Sequence, residues 1–77
     1  MDNLKQQKIE MWSKKLSELE KELEAVLIRK GEAAQEGDLS ENAAYKMAIE
    51  DAETYSARIA EVKKIISDLE NGKAMKG

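Results

Sequence analysis

The chain has 77 residues, of which 38% are charged and 4% aromatic, so it can form one small domain with little apolar material for a core. It contains no cysteine and no histidine. That composition excludes disulfide bonds, Cys/His zinc sites, thiolate nucleophiles and imidazole bases. An enzyme with its own enclosed pocket is therefore not expected.

The net charge of −3 is unevenly distributed along the chain. Residues 1–31 carry seven basic and six acidic side chains, and residues 54–77 carry five basic and three acidic. Residues 32–53 carry seven acidic side chains and one basic, which gives this middle segment a net charge of −6. The start of the chain is polar and no aliphatic run is long enough to cross a bilayer, so a cytoplasmic protein without membrane contact is expected.

Apolar residues in the first half recur at alternating steps of three and four, the spacing of a coiled-coil seam. They are Ile9, Trp12, Leu16, Leu19, Leu23 and Val26. Together with the absence of proline, this pattern predicts a first helix over about residues 4–36. Gly31 is a competing stop signal, but residues 32–36 favour helix, so the helix should run through it at a cost of about 1 kcal/mol.

The strongest local break follows at Gly37 and Asp38. Gly37 suits the left-handed position after a helix, and Asp38 suits the N-cap of the next one. Asp38 and Glu41 also have the spacing of a capping box, in which Glu41 would bond back to the amide of the cap residue. These signals predict a tip at residues 37–38 and a second helix over about residues 39–71.

The second helix repeats the seam spacing. Its seam residues are Tyr45, Ala48, Ala52, Tyr55, Ile59, Val62, Ile66 and Leu69. Folding the chain back at residues 37–38 places positions whose numbers sum to about 75 opposite one another, which aligns the two seams. The sequence therefore predicts an all-α fold, an antiparallel two-helix coiled-coil hairpin with an acidic tip, as one unit over residues 1–77 and roughly 45 to 50 Å long.

A two-helix hairpin of this size has a seam but no enclosed core, so it should be only marginally stable alone. A homodimer, a further domain or a binding partner would supply the missing burial. The candidate surface consists of apolar residues lying partly off the seam, which are Met11, Ala25, Leu27, Ile28 and Ile49.

Asp38 and Glu41 are the residues that invite a chemical interpretation. Two carboxylates three positions apart at a helix start can converge on one divalent cation, although a capping box explains both residues without any function. Two side chains cannot satisfy the octahedral oxygen coordination of Mg²⁺, so a partner would have to supply the other ligands. Trp12, Tyr45 and Tyr55 lie on the seams, and ring packing is expected for them.

The stretch from Glu36 to Tyr45, EGDLSENAAY, resembles the hairpin-tip motif of the bacterial Gre transcript cleavage factors. Farther along, Ala57-Arg58-Ile59 is similar to the Gly-Arg-Ile of that family. The resemblance implies a coiled coil that enters the secondary channel of RNA polymerase. In that family the tip carboxylates help to hold a catalytic Mg²⁺ inside the channel, and the polymerase's own active site cuts backtracked RNA near its 3′ end.

The resemblance also implies residue roles. Asp38 and Glu41 would be the acidic pair that assists the polymerase active site and holds Mg²⁺ jointly with it. The residues that would shape the tip are Gly37, Leu39, Ser40, Asn42 and Tyr45. The chain would not be an enzyme itself, since it would stimulate the intrinsic nuclease activity of RNA polymerase.

Departures from the family pattern keep other functions open. The FKBP-like C-terminal domain of the family is expected to be absent here. Ala44 stands where the family often has an acidic residue, and Ala34 and Ile49 stand where it has basic residues that contact RNA. Weaker RNA contact is therefore expected. The alternatives are a Gre-like inhibitor that occupies the same channel, or a dimerising coiled coil without polymerase contact.

Overall fold

The structure, a computed structural model, describes residues 3–72, which form two α-helices joined by a loop and contain no strand. Helix α1 spans Asn3–Ala34 and helix α2 spans Ala43–Glu70. The helices pack side by side in a rod of 57 × 19 × 15 Å. The predicted all-α two-helix hairpin is confirmed. The rod exceeds the predicted length because α1 alone accounts for about 48 Å and the loop extends beyond it.

The predicted boundaries between the two helices need correction. Helix α1 ends at Ala34 rather than at residue 36, and α2 begins at Ala43 rather than at residue 39. The connection, called the tip loop below, is therefore residues 35–42 and not residues 37–38. The outermost residues of the predicted 1–77 hairpin lie outside the described residues.

The two predicted seams form the contact between the helices, and every predicted seam residue is buried or half-buried. Leu19, Ile59 and Val62 form a buried cluster. The residues that pack against this cluster are Trp12, Leu16, Leu23, Tyr55 and Ile66. The predicted packing roles of Trp12 and Tyr55 are thus confirmed.

The register of the two helices can be read from contacts near the tip loop. The Lys30 ammonium lies 6.0 Å from the centre of the Tyr45 ring, and the Asn42 side chain is hydrogen-bonded to the Ala33 carbonyl. The residue numbers in both pairs sum to 75, the value predicted from the seams. The folding point was therefore predicted correctly, although the loop around it is longer than expected.

An electrostatic interaction also couples the helices near the middle of the rod. The pKa of the Tyr55 phenol is raised above its usual value of 10.0, mainly by hydrogen bonding with and the negative charge of the Glu22 carboxylate on α1. Tyr55 thus packs its ring on the core cluster while its phenol interacts with a charged group of the opposite helix.

The predicted off-seam surface is largely solvent-exposed in the single chain. Met11, Ala25, Leu27 and Ile28 are exposed, and Ile49 is half-buried. Among residues 3–72, neither helix combines the length and the apolar character needed to cross a membrane.

Helix α1 runs through Gly31, as predicted, and this position offers a test of helix propensity. Gly31→Ala is expected to raise the free energy of unfolding by about 1 kcal/mol. Alanine is the better helix former, and a Cβ atom at this position meets no other atom within 4 Å. Urea unfolding followed by circular dichroism measures the change.

Gly37→Ala is the control for the Gly31 substitution. Gly37 has φ +116°, a conformation that a side chain disfavours, so alanine there should lower the free energy of unfolding by about 1 kcal/mol or more. If the two substitutions changed the free energy of unfolding equally, the different backbone conformations of Gly31 and Gly37 would not explain their effects.

Candidate functional site

The tip loop begins by tightening the last turn of α1. The Gln35 amide donates to the Glu32 carbonyl at 3.2 Å, and the Glu36 amide donates to the Ala33 carbonyl at 3.1 Å. These bonds satisfy carbonyls that the end of a helix leaves without partners. Gly37 then takes a positive φ, as predicted, and turns the chain away from α1.

Asp38 organises a short turn of its own. Its Oδ1 atom accepts a hydrogen bond from the Ser40 amide at 3.0 Å and another from the Ser40 hydroxyl at 2.7 Å. The Glu41 amide donates to the Asp38 carbonyl at 3.4 Å and closes the turn. The two bonds from Ser40, with the hydroxyl bond as the larger cause, lower the pKa of the Asp38 carboxyl from its ordinary 3.8.

The predicted capping box does not form. In such a box the Asp38 carboxylate would accept from the Glu41 amide, whereas here that amide bonds to the Asp38 main-chain carbonyl. The turn around Leu39 and Ser40 is not continued into α2, which begins at Ala43. Asp38 thus caps an isolated turn, and its carboxylate is not used by the helix.

Asn42 is the N-cap of α2. Its backbone is extended, with φ −87° and ψ 98°, and its Oδ1 atom accepts from the Tyr45 amide at 3.0 Å. Its Nδ2 atom donates to the Ala33 carbonyl in α1 at 2.7 Å. Asn42 displaces Asp38 as the cap because a side-chain amide both accepts and donates, so it can satisfy the ends of both helices, which an ionised carboxylate cannot.

Tyr45 lies in the first turn of α2 and is half-buried beneath the Lys30 ammonium. A cation 6.0 Å from a ring centre is within reach of its negative face. Sequence reasoning placed Tyr45 on the seam but missed Lys30, which continues the α1 seam one step beyond Val26. The seam spacing continues to position 30, but a lysine there does not stand out as a seam residue because it is not apolar.

The remaining residues of the predicted tip are open to solvent. Asp38, Leu39, Ser40 and Glu41 are all exposed. Within residues 3–72 no three His, Cys, Asp or Glu side chains are grouped closely enough to hold a metal ion. Asp38 and Glu41 thus belong to no such group in the described part of the chain.

A groove of about 290 Å³ that the sequence did not reveal runs beside the tip loop between the helices. Its lining combines one guanidinium and three carboxylates with three alanine side chains and one methionine. The lining residues are Arg29, Glu32, Ala33, Glu36, Ala44, Met47, Ala48 and Asp51. The groove extends the negative surface of the loop onto one side of the rod.

Ser40→Ala is expected to raise the pKa of Asp38 back toward 3.8, because it removes the hydroxyl bond that most lowers this pKa. In the parent, the bonds from Ser40 stabilise the fold above pH 3.8, and this contribution is lost as the pH falls through the lower, folded-state pKa. Carbon NMR titration of the Asp38 carboxyl group measures the shift. Ser56→Ala, an exposed serine on α2, should leave the titration unchanged; an identical curve for Ser40→Ala would contradict the hydrogen bond.

Comparison with known proteins assigns the hairpin to a family. A family model described as "Transcription elongation factor, N-terminal" matches residues 3–70. No curated protein and no solved structure matches the chain. The matched range includes both helices and the whole tip loop, so the similarity extends well beyond the EGDLSENAAY stretch. The chain therefore belongs to the family of N-terminal coiled-coil domains of the Gre transcription elongation factors.

Proposed function

We propose that the hairpin binds bacterial RNA polymerase in its secondary channel and stimulates cleavage of backtracked RNA by the polymerase's own active site. Membership of a family of transcription elongation factors supports a role in elongation, and the family implies RNA polymerase as the partner. The observation that carries the proposal is the position of Asp38 and Glu41, which are both exposed in the loop that ends a long, narrow rod.

The shape and charge of the rod support insertion into a channel. Its cross-section is 19 × 15 Å against a length of 57 Å, so the tip loop can reach a site far from the opening of a narrow passage. Residues 32–53, which include the loop, carry a net charge of −6. A negative end is steered toward basic channel walls and should associate faster at low salt.

The two carboxylates would act at the inner end of the channel. Both bonds from Ser40 reach Oδ1 of Asp38, so within residues 3–72 its Oδ2 atom has no hydrogen-bond donor. Asp38 and Glu41 would therefore add oxygen ligands to a Mg²⁺ site held mainly by the polymerase. Mg²⁺ bound at such a site would supply a water of lowered pKa for attack on the phosphodiester. The hairpin would stimulate the nuclease activity of the polymerase without being an enzyme.

The experiment that tests this proposal measures RNA cleavage in a backtracked bacterial RNA polymerase complex with Mg²⁺ as the hairpin concentration is increased. Faster release of the RNA 3′ fragment, saturating with hairpin concentration, is the expected result. Binding of labelled hairpin to the same complexes is measured in parallel by fluorescence anisotropy.

The parallel binding measurement separates the alternatives. Binding without faster cleavage, together with slower RNA extension, would replace the proposal with channel inhibition. Absence of binding at any concentration would leave a structural coiled coil, whose mass in solution would then show whether it dimerises.

A further inference from the structure

Asn42 connects the two helices through a single side-chain amide. Its Oδ1 atom accepts from the Tyr45 amide at 3.0 Å, and its Nδ2 atom donates to the Ala33 carbonyl at 2.7 Å. The first bond caps α2, and the second reaches the last turn of α1 across nine positions of sequence. The half-buried position of Asn42 protects both bonds from competition by water better than an exposed position would.

The rest of the tip loop has few connections to the helices. Gln35 and Glu36 bond to the last turn of α1 through their amides. From Gly37 to Glu41, the hydrogen bonds found in the described chain stay within the loop, as in the bonds from Ser40 to Asp38. The loop that carries the carboxylates is thus held at its start by backbone bonds to α1. At its end the Asn42 carbonyl accepts from the Lys46 amide of α2 at 3.1 Å, and the Asn42 side chain provides the hydrogen bond to α1.

We infer that Asn42 is a positioning residue, whose bond to the Ala33 carbonyl holds the far end of the tip loop against α1 and thereby places Asp38 and Glu41 at the end of the rod. This inference rests on the proposed function for its consequence in RNA cleavage. The bond itself can be tested in the hairpin alone.

The two roles of Asn42 can be separated by substitution. Asn42→Asp keeps an oxygen to cap Tyr45 but replaces the donor to Ala33 with a second acceptor, and Asn42→Ser keeps a capping oxygen without adding charge. Asn42→Ala removes both roles. Asn71→Ser is a matched control at the far end of α2, where the Asn71 amide donates to the Ser67 hydroxyl at 3.3 Å.

The first measurement uses the hairpin without polymerase and follows backbone order by nitrogen-15 relaxation. In Asn42→Ser and Asn42→Asp, order parameters for residues 37–41 are expected to fall from about 0.85 to below about 0.6, while the Tyr45 amide stays ordered. Asn42→Ala should disorder Tyr45 as well, and Asn71→Ser should leave the loop unchanged. Unchanged loop order in both Asn42→Ser and Asn42→Asp would overturn the inference.

The second measurement uses the backtracked polymerase complex and separates rate from binding. Asn42→Ser is expected to lower the maximal cleavage rate about 10-fold or more, with the half-saturating hairpin concentration changed by less than about twofold. If Asn42→Ser raised only the half-saturating hairpin concentration and left the maximal cleavage rate unchanged, the result would contradict a positioning role. If the parent hairpin failed to stimulate cleavage, the proposed function would fall, and the relaxation result would still decide whether Asn42 orders the loop.

Discussion

Replacing Asp38 by Asn and Glu41 by Gln together is expected to lower the rate of stimulated RNA cleavage by about 100-fold or more. Removing even one preorganised electrostatic group from a catalytic site has an effect of about this size. Neutral amides are poor ligands for Mg²⁺ compared with carboxylates. The fold should survive, because the amide oxygen introduced by Asp38→Asn can still accept the bonds from Ser40 and neither carboxylate caps α2. The measurement is the cleavage rate in backtracked complexes at saturating hairpin concentration.

A charge-matched control distinguishes ligand chemistry from electrostatic steering. Glu50→Gln with Glu53→Gln removes two charges from the same acidic segment, at exposed positions on α2 outside the tip loop. This control should weaken association at low salt and leave the maximal cleavage rate near that of the parent. Equal loss of maximal rate in the two double variants would contradict a metal-binding role for the tip carboxylates.

Leu19→Ala is expected to unfold most of the hairpin, because it should lower the free energy of unfolding by about 2 to 5 kcal/mol. Leu19 is 3% exposed and belongs to the buried cluster with Ile59 and Val62. A core in a chain of this length supplies only about 3 to 5 kcal/mol in total, so the loss is comparable to the whole stability. Circular dichroism at increasing urea concentration measures the free energy of unfolding.

Leu27→Ala is the matched control for Leu19→Ala, since it makes the same change in the same helix at a side chain that is 48% exposed. Leu27→Ala should change the free energy of unfolding by no more than about 0.5 kcal/mol. A large loss at Leu27 would show that this side chain is covered in solution, for example by a second copy of the chain. A small loss at Leu19 would contradict its place in the buried cluster.

The course of the helices was predictable because the seams are periodic. Each helix must bury one apolar stripe, and two stripes with the same spacing can be aligned by a single folding point. The observed pairs Lys30 with Tyr45 and Ala33 with Asn42 agree with the register predicted from that reasoning. The continuation of α1 through Gly31 was also predictable, because the residues after it favour helix.

The start of α2 was not predictable in the same way. Asp38 and Glu41 have the spacing of a capping box, and Asn42 is also a good N-cap residue, so local pattern left two candidates. The choice between them depends on the Ala33 carbonyl, which lies near Asn42 only after the chain has folded back. Asp38 and Glu41 lie in the loop between the helices, where the aligned seams predict the chain to fold back, but the geometry of their turn depends on the neighbouring helix.

Helix periodicity and charge are local properties of the chain, so they were enough to predict the all-α hairpin, its register and the carboxylates near its folding point. Three features emerged only with the two helices packed together: the tip loop spans residues 35–42, Asn42 caps α2, and Asp38 stays outside the helix. They could not be predicted locally because unpaired groups at the end of one helix can be satisfied by the start of the other only when both are in place.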